Sequence, residues 1–201
     1  FELKPNDKVE VSSSRGITEL HHPKLKIIFE DQDLIVVEKK EGLLTVTTGE
    51  RDETTAFTIL KNHVKKSDKA HRIYVVHRLD RETSGVLMFA KHKDIQLHLQ
   101  ENWHEIITKR IYVAVVEGKV EKASDTITSW LTENEKSLKI HSSTTDNGGQ
   151  QAVTHYKCIK SNDQYSLMEL ELETGRKNQI RVHMQDMGHP IAGDKKYGAV
   201  S

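Results

Sequence analysis

The stretch Leu167-Met168-Glu169-Leu170-Glu171-Leu172-Glu173-Thr174 decides how this chain is read, because apolar and acidic residues alternate strictly from Met168 to Glu173. Met168, Leu170 and Leu172 on one side, with Glu169, Glu171 and Glu173 on the other, form the period-two pattern of a strand with one wet face. After Gly175 the period changes. Ile180, Met184 and Met187 recur at steps of three and four, which predicts a helix that turns this stripe inward. Gly188 follows its last turn and Pro190 lies just beyond, a combination that ends helices.

The same two periods recur outward from this strand and helix. Asp146-Asn147-Gly148-Gly149 supplies a turn before a strand over residues 152–159. Residues 111–116 are apolar on both alternating faces, so a central place in a sheet is predicted, with Tyr112, Ala114 and Val116 sharing one side. Residues 86–90 read as a short strand, followed by a helix carrying Ile95, Leu99 and Trp103 at steps of four. Residues 34–37 predict a buried strand, and Ala56, Phe57, Leu60 and Val64 fall at helical spacing. The elements together predict an α+β fold built on a mixed, mainly antiparallel sheet flanked by helices and loops. Residues 1–15 read differently and close on the small polar run Ser12-Ser13-Ser14, a linker signal, so residues 16–201 are taken as one domain.

Composition limits the function classes. With 35% hydrophobic and 30% charged residues in a chain of 201, a solvated fold with a polar working face is expected. Lys plus Arg equal Asp plus Glu at 30 each, so nucleic-acid binding would need charge concentrated on one face. The apolar runs are strand-sized, and no membrane span is predicted. The one cysteine, Cys158, excludes an internal disulfide and a multi-thiolate zinc site, which points to a reducing, cytoplasmic compartment. The twelve histidines do not make a metal site by spacing: His21-His22 adjoin Pro23, with no helix to project them together. No nucleotide-binding motif is found, so no cofactor is expected. The chain begins without methionine and stops shortly after Tyr197-Gly198, so a piece of a longer protein is expected.

Two clusters carry chemistry. His77-Arg78-Leu79-Asp80-Arg81-Glu82-Thr83-Ser84-Gly85 lies between two predicted strands. If it is locally extended, Arg78 and Asp80 point one way and Leu79 anchors the other side in the core. By itself the segment better suits a solvated turn with an ion pair and with Thr83 or Ser84 capping a helix. In the second cluster, Thr174-Gly175-Arg176-Lys177-Asn178-Gln179-Ile180-Arg181-Val182-His183, a strand runs into a helix. Gly175 permits close backbone approach, and Arg176 with Lys177 suits phosphate oxygens at a helix start. Arg181 flanks the buried stripe and calls for a carboxylate partner. A basic solvent face is the plainer alternative.

These clusters, together with Lys109-Arg110-Ile111-Tyr112-Val113-Ala114 and with Gly188-His189-Pro190-Ile191-Ala192-Gly193-Asp194 followed by Tyr197-Gly198, stand in the order of the RluA-type pseudouridine synthases, which the chain resembles from about Lys26 to Gly198. The resemblance implies an isomerase that converts specific uridines in structured RNA, ribosomal or transfer, to pseudouridine without cofactor or metal. It implies that Asp80 is the catalytic carboxylate and that Tyr112 stacks on the target base. Arg181 would pair with Asp80, and Arg78 would fill the place of the flipped nucleotide. Arg176 joins them as a substrate contact. A monomer is expected, with structured RNA as its partner.

The chain departs from the family pattern at two places. Asn178 stands where histidine is frequent, and Lys39-Lys40 where Lys-Pro is frequent. The residues Pro5-Asn6-Asp7-Lys8-Val9-Glu10-Val11 resemble the tail of a small alpha-L RNA-binding domain, most of which would be missing. A rival from another class is an RNA-binding or assembly module without turnover. A zinc-dependent base deaminase is set aside, because one cysteine does not supply its usual ligands.

Overall fold

A computed structural model describes residues 20–47, 49 and 53–200, so the expected tail and linker at 1–15 lie outside the described residues. The chain divides into two units that meet in sequence at Ile106 and Ile107. In the first, strands β1 (Leu25–Glu30), β2 (Leu34–Lys39), β3 (Tyr74–Val75) and β4 (Gly85–Ala90) form a sheet of order β1-β2-β4-β3. All its pairings are antiparallel, with Ile35 opposite Phe89 and Val37 opposite Leu87. These four side chains are fully buried, as a strand with apolar residues at alternate positions requires. The strand predicted over 34–37 is therefore β2, two residues longer than its apolar run.

Helix α1 (Ala56–Ser67) buries Ala56, Leu60 and Val64 of the predicted stripe, together with His63, and leaves Phe57 half-buried. It begins with a reciprocal cap: the Thr58 amide donates to Thr55 Oγ1 at 3.1 Å and the Thr55 amide to Thr58 Oγ1 at 2.8 Å. The single helix expected through Ile95, Leu99 and Trp103 is broken. It forms α2 (Lys93–Glu101) and the single turn α3 (Trp103–Ile106), because Asn102 donates from its side chain to the His98 carbonyl at 2.9 Å and ends the first helix. The spacing still selected the right residues, since Ile95, Leu99 and Trp103 all belong to the cluster around Val76 and Ala90.

In the second unit β5 (Ile111–Glu117), β6 (Ser124–Glu133), β7 (Ile140–Ser143), β8 (Gln150–Ser161) and β9 (Tyr165–Leu172) form an antiparallel sheet of order β5-β9-β8-β6-β7. Helix α4 (Gln179–Asp186) sets Met184 into a core with Val116, Tyr156, Met168 and Leu170, and Ile180 and Met187 pack against it. Tyr112 and Ala114 pack against the same core, so the predicted side of β5 and the predicted stripe of α4 face one another. Gly188 ends the helix in the left-handed region, φ 78°, which costs a glycine little.

The central place predicted for residues 111–116 is not found. Strand β5 ends the sheet order and leaves Ile111, Val113 and Val115 exposed. Apolar side chains on both faces do not determine how many strands a strand hydrogen-bonds. Its other edge is covered by a loop: the Glu117 amide donates to the Pro190 carbonyl and the Ala192 amide to the Val115 carbonyl, each at 2.9 Å. The strand predicted through Thr174 stops at Leu172, because the Thr174 side chain replaces the next ladder bond. Its Oγ1 accepts from the Val153 amide at 2.8 Å and donates to Gln179 Oε1 at 2.8 Å.

Candidate active site

In the first unit Asp80 sits half-buried in the loop between β3 and β4, and both neighbours in sequence are pinned through their main chain. Leu79 is buried, as alternation predicted, and Thr45 Oγ1 holds it twice. The hydroxyl donates to the Leu79 carbonyl at 2.7 Å and accepts from the Leu79 amide at 3.1 Å. On the other side the Arg81 carbonyl accepts from the Gly42 amide at 2.8 Å and from Lys39 Nζ at 3.2 Å. The Thr83 amide closes the turn on the Asp80 carbonyl at 3.1 Å. Arg78 is exposed, and His77 Nε2 accepts from the Met88 amide at 3.1 Å, which ties the loop's start to β4.

Lys39 is the residue that pattern reading noted only as half of a departure from Lys-Pro. Its side chain is fully buried at the end of β2. Nζ also donates to the carbonyls of Leu43 at 2.8 Å and Lys40 at 3.2 Å, so three donors meet three acceptors. Burial pushes the ammonium down from its ordinary proton affinity, and the nearby carboxylates of Glu82, Asp80 and Glu41 oppose that. A lysine at the strand's end, on the same side as the buried Ile35 and Val37, was the available signal.

In the second unit Tyr112 lies on the inner side of β5, opposite Leu170. Arg181 projects from α4 into a cage of side chains. Its Nε donates to Asp194 Oδ2 at 2.6 Å and its Nη2 to Asp194 Oδ1 at 2.8 Å, the bidentate fork typical of guanidinium and carboxylate. Its Nη1 donates to Asn178 Oδ1 at 3.3 Å, and its Cζ lies 4.6 Å from the centre of the buried Tyr197 ring. The Tyr197 hydroxyl accepts from Asn178 Nδ2 at 2.9 Å and from the Ile140 amide at 3.1 Å. Asn178 adopts φ 55°, a left-handed conformation that asparagine tolerates better than most side chains. Asp194 was visible only as the last residue of a motif; its pairing with Arg181 was not.

Two polar side chains fix α4 on the sheet. Gln179 donates to the Val153 carbonyl at 3.0 Å and to Thr154 Oγ1 at 2.8 Å. His183 is fully buried, bonded through Nδ1 to Thr154 Oγ1 at 2.8 Å and through Nε2 to Ser129 Oγ at 2.9 Å. Burial pushes its pKa down to about 4. Arg176 is exposed, and its Nε donates to the Gln151 carbonyl at 3.0 Å. Lys177, its expected companion in phosphate contact, has its ammonium on Glu133 Oε1. The predicted site residues thus fall in both units, Arg78 and Asp80 in the first and Tyr112, Arg176 and Arg181 in the second. Among the described residues no group of three or more His, Cys, Asp or Glu side chains is placed to hold a metal, and no helix is long and apolar enough to cross a membrane.

Residues 33–186 match the family model described as RNA pseudouridylate synthase. An uncharacterized RNA pseudouridine synthase of Bacillus subtilis, YhcT, is 36% identical over 99% of this chain and 67% of its own length. The ribosomal large subunit pseudouridine synthase D of Nitrosomonas europaea is 36% identical over 88% of this chain and 51% of its own. The chain spans about half to two thirds of these curated relatives. Among solved structures, human RNA pseudouridylate synthase domain containing 4 superposes with a TM-score of 0.71 at 27% identity, covering 87% of this chain and 69% of that one.

Proposed function

The chain belongs to the RNA pseudouridylate synthase family, and we propose on that footing that it isomerises specific uridines in structured RNA to pseudouridine, with Asp80 as its catalytic carboxylate. The observation that carries this reading is the loop at Asp80, where Thr45, Gly42 and Lys39 hold the residues on either side and leave the aspartate side chain as the functional element. Such pinning supplies the preorganisation that a catalytic group needs before substrate arrives.

The bond from ribose C1′ to uracil N1 breaks, the free base rotates, and a bond from C1′ to C5 forms. The C5 proton departs and N1 ends protonated, so atoms and electrons balance without an oxidant, cofactor or metal. Asp80 serves as nucleophile or base in that exchange. Arg181 is the guanidinium to which the family resemblance assigns the role of partner to the catalytic carboxylate. Tyr112 takes the face of the flipped base, Arg78 the gap left in the stack, and Arg176 a backbone phosphate. Ribosomal RNA is the favoured substrate, on the name of the Nitrosomonas relative, with transfer RNA as the other source. The enzyme acts as a cytoplasmic monomer.

Asp80→Asn tests the reading, because it keeps size and removes the negative charge. Pseudouridine formation is expected to vanish while folding and RNA affinity stay near wild type, since binding is spread over phosphates and stacking and chemistry depends on one group. Wild-type turnover in that variant would refute the mechanism. A wild-type protein that binds RNA but forms no pseudouridine would instead be a binding or assembly module.

A further inference from the structure

Arg110 has no part in the site as proposed, yet its surroundings single it out. It precedes β5 by one residue, and the Leu172 amide donates to its carbonyl at 3.0 Å, so the ladder extends through it. Two positions before Tyr112, it therefore shares that residue's side of the sheet. Its Nη2 donates to the Glu173 carbonyl. Its Nη1 lies where Gly175 makes room: a Cβ added to Gly175 would stand 2.8 Å from it. A side chain at 175 would therefore displace the end of this guanidinium from its present place, while no positive φ calls for glycine there.

Arg176, the residue after Gly175 in the turn after β9, lies close enough to Arg110 to act on it electrostatically. Carbonyl oxygens hold both guanidiniums, that of Gln151 for Arg176 and that of Glu173 for Arg110. Among the described residues neither has a carboxylate within ion-pair distance. The nearest acidic side chain in sequence, Glu173, gives its carboxylate to His155 Nε2 at 2.7 Å. Arg110 bears the cost of this arrangement, because burial pushes its proton affinity down and Arg176 adds to that, with Tyr112 opposing. Two neighbouring cations, each held by a carbonyl and without a carboxylate partner among the described residues, are stabilised by an anion with two acceptor oxygens.

We propose that Arg110 and Arg176 form a clamp for one phosphodiester of the RNA strand, next to Tyr112, with Gly175 as the small residue that lets the clamp close. The inference rests on the proposed RNA substrate and deepens it: the clamp fixes the backbone beside the flipped nucleotide. The start of α4 is not what binds the phosphate. The Arg176 amide already donates to Gln179 Oε1 at 3.0 Å, and Lys177 is neutralised by Glu133.

A salt titration of RNA affinity tests the clamp, with a transcript of large-subunit ribosomal RNA as the probe and intact protein throughout. Arg110→Gln and Arg176→Gln should each weaken binding by about tenfold and lower the slope of log affinity against log salt by about one. The double variant should lose little more than either single, because both side chains hold the same phosphate. Arg110→Lys should recover the slope with incomplete affinity, since an ammonium keeps the charge and lacks the fork. An unchanged slope in folded Arg176→Gln, whose exposed side chain makes it the safe variant, would overturn the clamp, as would strictly additive losses. Pseudouridine formation by wild-type protein on total RNA from cells lacking the gene is read in parallel. Turnover with unchanged slopes rejects the clamp alone; no turnover with reduced slopes rejects the proposed activity and leaves the clamp standing.

Discussion

The loop at Asp80 and the cage around Arg181 are held in opposite ways. Around Asp80 the fixed atoms are main-chain amides and carbonyls, gripped by the Thr45 hydroxyl, the Gly42 amide and a buried lysine. Around Arg181 the fixed atoms are those of its own side chain, gripped by Asp194, Asn178 and the Tyr197 ring. A short aspartate has few rotamers, so placing its backbone places its carboxylate. An arginine has four rotatable bonds, and its guanidinium is placed only when other side chains confine it. Substitutions near Asp80 should therefore act on the loop and its stability, and substitutions near Arg181 on turnover at nearly constant stability.

The largest effect that would break this contrast is expected at Lys39. Lys39→Met fills the space but leaves the Leu43, Lys40 and Arg81 carbonyls without the ammonium, at a cost of about 4 kcal/mol of stability. Denaturant unfolding checks it, and a loss below about 1 kcal/mol would mean the loop is held by Thr45 and Gly42 alone.

His183 comes next, and its effect depends on pH. Its pKa is pushed down to about 4 in the fold from an ordinary 6.5, so the unfolded chain binds the proton more readily. The stabilisation is complete above pH 6.5 and is lost as pH falls toward 4, by about 3 kcal/mol over the whole window. Unfolding curves of wild type and His183→Gln across that window should differ in slope. Parallel curves would show that α4 is not anchored by a neutral histidine.

Much of this comparison was legible beforehand, and the reason differs by residue. Asp80, Tyr112 and Arg181 stand in motifs singled out by the family resemblance, which assigns their proposed roles, and the burial of Leu79 follows from alternation. Lys39 and Asp194 were not legible as partners, because the Lys39 hydrogen bond to the Arg81 carbonyl and the Asp194 fork on Arg181 join residues 42 and 13 positions apart in sequence.

Asp194→Asn should sharpen the contrast at smaller size. It removes the charged fork from Arg181, so turnover is expected to fall by about 10- to 100-fold with RNA affinity and melting temperature near wild type. Arg181→Lys should resemble it, because an ammonium does not copy the two parallel hydrogen bonds. A single-turnover assay with a binding measurement separates the effects; an equal loss of affinity would make Arg181 a phosphate contact. The smallest change is expected for Thr45→Val, which keeps shape and removes both bonds to Leu79, at about 2 kcal/mol of stability. If its turnover falls without a stability loss, Thr45 acts on Asp80 and not on the loop.

By itself the sequence determined the element types and the inward stripes. Period two at Met168, Leu170 and Leu172 and the stripe Ile180, Met184 and Met187 are local consequences of strand and helix geometry, and the structure buries Met168, Leu170 and Met184 in one core with Ile180 and Met187 packed against it. Only the tertiary structure decided that β5 ends its sheet, that α2 stops at Asn102, and that Arg181 belongs to Asp194 and Tyr197. Hydrophobic period is a property of neighbours along the chain. Strand order, buried charge and hydrogen-bond pairing are properties of neighbours in space, and different arrangements of the same periods satisfy the first without fixing the second.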